Sequence, residues 1–120
     1  MSDIKTYKDL LIWQKGILLV KVVYNNIEGF PKDEVFGLTS QIKRSAVSIP
    51  SNIAEGWGRG SILSYLHFLK IARGSLFELE TQLIIANELS FISELKFNEL
   101  TQIITEESKM LNAFIKSLSK

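Results

Sequence analysis

The chain has no cysteine, a single histidine and two prolines among its 120 residues. Without cysteine there can be no disulfide, thiolate metal site or cysteine nucleophile, and a reducing cytoplasm is the expected compartment. His67 has Ser64 three residues before it. A carboxylate-bridged di-iron bundle needs glutamate there, so that chemistry is excluded. The serines have no recognisable base and orienting acid, and Glu78 and Glu80, two apart on a helical segment, point to nearly opposite faces. No catalytic residue, metal or cofactor is therefore expected. Long apolar runs are also missing: "GILLV" is cut short by Lys21, far below the ~18 residues that span a bilayer. The charged start "MSDIKTYKDL" does not read as a signal peptide.

What is present is helical periodicity, in four long segments separated by short polar or glycine-bearing links. In the first, Leu10, Trp13, Ile17, Val20, Tyr24 and Ile27 define one face, with Asp9 as its N-cap and Glu28-Gly29-Phe30-Pro31 as its end. The second keeps phase through Leu38, Ile42, Ala46, Ile49 and Ile53 on both sides of Pro50. That phase predicts one continuous helix, kinked at the proline. The third carries Tyr65, Leu69, Ala72, Leu76, Leu79, Leu83 and Ala86, capped by Ser61. The fourth carries Phe97, Leu100, Ile104, Leu111, Phe114 and Leu118, capped by Ser93, with Glu107 as a polar exception on the stripe. Glu106 and Glu107 are expected to be at least partly solvated. Short links make consecutive helices antiparallel, so the expected fold is a single all-α domain over residues 1–120, an up-down-up-down four-helix bundle.

Segment one has more apolar surface than a bundle interior needs. Leu11, Leu18 and Val22 form one extra row, and Ile12, Leu19 and Val23 another. A second copy of the chain is expected to cover the surplus. Gly74, inside the third segment, costs about 1 kcal/mol relative to alanine and predicts the close approach of another backbone.

The stretch "SIPSNIAEGWGRGS" at residues 48–61 is the main irregularity. Gln41, Ser45, Ser48, Asn52 and Glu55 fall on one stripe of the second helix, about a quarter-turn from its apolar one. Two readings fit it: a polar site, or a hydrogen-bonded seam against another helix. "GWGRGS" lacks the preceding strand and the Lys-Ser/Thr of a phosphate loop. Gly56 as a helix stop and Ser61 as the next cap explain most of it. Trp57 and Arg59 remain; they either close the end of the bundle or stack on an unpaired base and pair with a phosphate.

Net charge is +1, distributed unevenly: residues 1–73 hold ten Lys or Arg against six acids, and residues 74–120 hold four against seven. The gradient suits a polyanion on one surface or an ordinary solvated surface. On the first reading Lys43, Arg44, Arg59, Lys70 and Arg73, with Trp57, are the nucleic-acid-binding candidates.

Three blocks, "DLLIWQKG", "FPKDEVFGLTSQIKRSAVSIPSNIAEGWGR" and "FLKIARGSLFELETQL", resemble the four-helix-bundle family encoded in intervening sequences of bacterial 23S rRNA genes. The resemblance runs in order from about Asp9 to Leu89. It implies a small non-enzymatic bundle that forms homo-oligomers, a pentameric ring among them. It also implies kinship with the accessory variability proteins of diversity-generating retroelements, which act with a reverse transcriptase and nucleic acid. Lys43 and Arg44 stand at the family's basic pair, and Arg59 at its arginine after the glycine turn. RNA, or a reverse-transcriptase-like protein, is thus the implied partner; a protein-only scaffold is the alternative.

Overall fold

The computed structural model describes residues 3–120, which form four long helices: α1 (Leu11–Asn26), α2 (Leu38–Gly58), α3 (Ile62–Glu88) and α4 (Glu94–Leu118). Consecutive helices pack side by side and α4 returns against α1, closing an antiparallel four-helix bundle. None of these helices is long and apolar enough to cross a membrane. The core is one cluster, including Leu19 and Val23 of α1, Ile42, Ile49 and Ile53 of α2, Leu69, Leu76 and Leu83 of α3, and Leu100, Ile104 and Leu111 of α4.

The stripes predicted for α2 and α3 are almost wholly buried, with only Leu38 and Tyr65 half-covered at the ends. Both caps expected between helices are made: Ser61 Oγ accepts from Ser64 N at 3.2 Å, and Ser93 Oγ from Lys96 N at 3.2 Å. α2 is unbroken through Pro50, which lies buried inside it.

The entry to α1 differs from expectation. A 3-10 turn (Tyr7–Asp9) precedes it, capped by Thr6, whose hydroxyl accepts from Lys8 N at 2.9 Å. Asp9 does not cap α1. Its carboxylate reaches back to the amides of Lys5 (2.9 Å) and Thr6 (3.1 Å), completing a capping box on the turn. Those two amide donors hold the Asp9 carboxyl below its ordinary pKa.

The buried face of α1 is also rotated from the predicted one. Ile12, Gly16, Leu19 and Val23 face the core; of the predicted face, Leu10 and Ile27 at its ends are buried, Trp13 and Val20 are half-covered, and Ile17 and Tyr24 lie at the surface. One of the two rows expected to need an outside partner, Ile12, Leu19 and Val23, is thus inside. The reason is Gly16: a β-carbon there would stand 3.3 Å from Pro50 Cβ and 3.4 Å from Glu107 Oε2. Only the row containing this glycine lets α1 come down onto α2 and α4 together. Leu11 and Leu18 of the other surplus row remain exposed.

Two further glycine expectations are overturned. Gly56 does not stop α2; it is buried within it, and the helix runs two residues further, with Gly60 taking the left-handed backbone at φ +81°. Gly74 meets nothing within 4 Å. The close approach falls instead at Gly56, where a β-carbon would stand 3.0 Å from Phe68 Cβ and 3.2 Å from the Tyr65 carbonyl oxygen. These contacts bring α2 and α3 together just before the turn that joins them.

Candidate nucleic-acid interface

Because Ile42, Ala46, Ile49 and Ile53 take the inner face of α2, the residues between them are carried to its flanks and outer surface. Along that outer surface runs a groove of about 730 Å³, lined by Lys43, Arg44, Gln41 and Val47 on α2 and bordered by Tyr24 of α1 and by Glu78 and Gln82 of α3. Lys43 leans toward α1, with its ammonium 5.0 Å from the centroid of the Tyr24 ring. That contact orients the charge at the groove edge. Arg44, on the next position, is exposed.

The polar stripe of α2 divides in three. Ser45 Oγ donates to Glu78 Oε1 at 3.3 Å, and Ser48 Oγ lies 2.8 Å from Ser75 Oγ, so both tie α2 to α3. Asn52 turns back within α2, donating to the Ser48 carbonyl and hydroxyl at 2.8 Å each. Gln41 and Glu55 stay at the surface, and Glu55 pairs with Arg59 at 3.0 Å. Three of the five residues are thus engaged in hydrogen bonds along one flank, and two of these, Ser45 and Ser48, also line the groove.

The remaining candidates are not gathered with Lys43 and Arg44. Arg59 lies over the Phe68 ring at 4.8 Å while paired to Glu55. Trp57 is half-buried, edge-on to Tyr65 at 6.3 Å, and Tyr65 in turn meets Phe114 of α4 at 5.7 Å. The aromatic triplet fills the end of the bundle. Its Tyr65 hydroxyl is buried without a hydrogen-bond partner among the described residues, and burial pushes its pKa up to about 12. Lys70 is exposed on α3. Arg73 reaches the other way, donating to Asn112 Oδ1 of α4 at 3.1 Å. Lys43 therefore sits on the α1–α2 seam and Arg73 on the α3–α4 seam, at different sides of the bundle.

Sequence reasoning missed Tyr24, Glu78 and Gln82 as groove residues. Tyr24 had been given to the core face of α1, and the rotation of that helix is what brings it to Lys43. Glu78 and Gln82 carry a fainter signal: they lie one helical turn apart on α3 and follow Ser75, the partner of Ser48.

Glu107 departs furthest from expectation. It is 0% exposed, and neither carboxylate oxygen has a hydrogen-bond partner among the described residues. Burial pushes its pKa up to about 8, with Lys15 pulling partly the other way. Glu106 is the solvated member of the pair, 2.6 Å from Lys15 Nζ. The hydrogen bond to Lys15, then its charge, holds the Glu106 carboxyl below its ordinary range. No group of histidines and acids capable of holding a metal occurs among the described residues.

A cysteine-free four-helix bundle with a polar, partly basic groove along its second helix defines the class. The chain matches the family of 23S rRNA-intervening sequence proteins over residues 8–113, and it belongs to that family. Its fold is similar to the crystal structure of a protein of unknown function from the S23 ribosomal protein family of Bacteroides thetaiotaomicron VPI-5482. The two share 24% sequence identity with a TM-score of 0.82, over 88% of this chain and 99% of that one. No curated protein matches the chain.

Proposed function

We propose that the chain is a non-enzymatic, self-associating binding protein of the cytoplasm that receives RNA along the outer face of α2. The observation that carries this reading is the placement of Lys43 and Arg44 on the 730 Å³ groove beside Gln41, which offers phosphates two cations and the bases an amide. Only these two of the candidate cations line that groove, so the contact is modest and strongly dependent on salt. Arg59, tied to Glu55, and Arg73, tied to Asn112, contribute less. The family's link to 23S rRNA intervening sequences supports RNA as the first ligand to try.

Self-association is supported by apolar side chains left at the surface. Phe36 is 96% exposed, Leu63 82% and Leu11 68%, and each would gain from burial against another copy of the chain. The resemblance suggests a pentamer. The same exposed residues favour a second reading, a protein-only scaffold or accessory subunit, with a reverse-transcriptase-like protein as one candidate partner.

Titration of a structured RNA into nucleic-acid-free protein tests the first reading. The expected result is binding at low salt that is weakened by K43A and R44A. Affinity purification from the native cell, with and without nuclease, separates the two readings, because a protein-only partner survives the treatment. Light scattering that finds only monomer across micromolar concentrations would remove self-association.

A further inference from the structure

Glu107 occupies a place on α4 where helical phase calls for an apolar side chain, between Ile104 and Leu111 on the stripe facing the core. Three helices meet at its carboxyl group. α1 presents Gly16, whose missing β-carbon would lie 3.4 Å from Glu107 Oε2, and α2 presents the Pro50 ring against the same side of that glycine. Any larger residue at position 16 would compete with the carboxyl group for this space.

The charged groups nearby do not neutralise it. Lys15, on α1, is the one charged group whose field acts on Glu107, and its ammonium is held 2.6 Å from Glu106. α2 contributes a proline at this point, and α3 no ionisable group that acts on the carboxyl. A carboxylate here would have no hydrogen-bond donor and only the field of a Lys15 ammonium already paired with Glu106, a costly state for a buried acid. The neutral acid has one O–H to donate. In that form it avoids the cost of a buried charge, against the apolar Pro50 ring and the Gly16 backbone.

We propose that Glu107 is a proton-controlled latch: the α1–α4 seam at Gly16 closes over the neutral acid, and loss of the proton loosens it. The sign follows from linkage. The folded chain holds this proton more tightly than the unfolded one, with a pKa of about 8 against an ordinary 4.5. The latch is therefore fully set below pH 4.5, weakens as pH rises toward 8, and changes little beyond.

Hydrogen exchange on the full chain, corrected for the intrinsic pH dependence of exchange, reads the latch directly. The opening constant for amides of α1 around Gly16 and of α4 around Glu107 should rise about tenfold per pH unit between pH 6 and 8, then level off. In E107Q it should be flat. A flat profile in the unaltered chain, or an equal rise in E107Q, overturns the proposal. Should E107Q fail to fold, infrared spectroscopy of the unaltered chain decides instead. A neutral carboxylic acid carbonyl band at pH 7 that titrates away near pH 8 supports the latch, and its absence at pH 7 refutes it.

Discussion

Replacing Gly56 and Gly74 by alanine, one at a time, makes the same chemical change in two helices and should move stability in opposite directions. Both residues lie inside helices, and neither has a positive φ, so each gains about 1 kcal/mol from the better helix former. At Gly74 nothing stands within 4 Å, and that gain should be kept whole. For a chain of 120 residues, 1 kcal/mol corresponds to a rise in Tm of about 4 °C. At Gly56 the new methyl would meet Phe68 Cβ at 3.0 Å, Tyr65 Cδ1 at 3.1 Å and the Tyr65 carbonyl oxygen at 3.2 Å. Two of these atoms belong to or adjoin the backbone of α3, so the helices must separate, at a typical overpacking cost of 1–3 kcal/mol or more. The net effect should be a loss of up to about 2 kcal/mol and a fall in Tm of up to about 8 °C. Urea denaturation followed by circular dichroism measures both variants, with an unchanged slope showing that the folded and unfolded surfaces are comparable. Shifts of the same sign would refute the assignment of the α2–α3 approach to Gly56. A destabilised G74A in a protein that remains monomeric would contradict the open surface at α3.

Other side chains give equally direct tests. S75A removes the 2.8 Å bond to Ser48 between α2 and α3 and should cost about 1 kcal/mol in chemical denaturation. Y65F deletes a buried hydroxyl that has no partner among the described residues, so stability should hold or rise, by about 1 kcal/mol at most. Because burial pushes the pKa of the same hydroxyl up to about 12, stability should be unaffected by it below pH 10 and fall as pH rises from 10 toward 12, a fall that Y65F abolishes. Absorbance should accordingly show a tyrosine ionising near pH 12 that is missing in Y65F. F36S changes a side chain that is 96% exposed and should leave monomer stability within about 0.5 kcal/mol; a changed particle size in light scattering would place Phe36 in a contact between copies.

The fold was legible wherever only one helical phase fitted. In α2 a single apolar stripe competes with polar flanks, and the buried residues follow it; in α3 the predicted stripe is buried as well, although Ile71, Phe77, Ile84 and Ile85 lie exposed on its flanks. α1 offers three apolar rows, and periodicity cannot choose among them. The choice is made by the fit of Gly16 between Pro50 and Glu107, a contact between residues far apart in sequence. The same limit applies to glycine. Gly56 and Gly74 look alike in a helical segment, and only the packing of α2 on α3 separates a close approach from open solvent. Glu107 was placed by phase on the buried stripe, while its charge argued for solvent; burial prevailed because the acid can remain neutral. For the candidate interface, sequence supplied the cations but not their faces. Lys43 is set by Tyr24 and Arg73 by Asn112, and neither partner is close to it in the chain.

The central claim is that RNA meets this bundle on the groove bordered by Lys43 and Arg44. Its most direct test is the salt dependence of binding to a structured RNA, compared between the unaltered protein and the K43A/R44A double variant. The account predicts a logarithmic affinity that falls linearly with the logarithm of salt concentration. The double variant should bind more weakly and with a slope smaller by about 2, one for each lost phosphate contact. No binding at low salt, or identical affinity and slope in the two proteins, would contradict it.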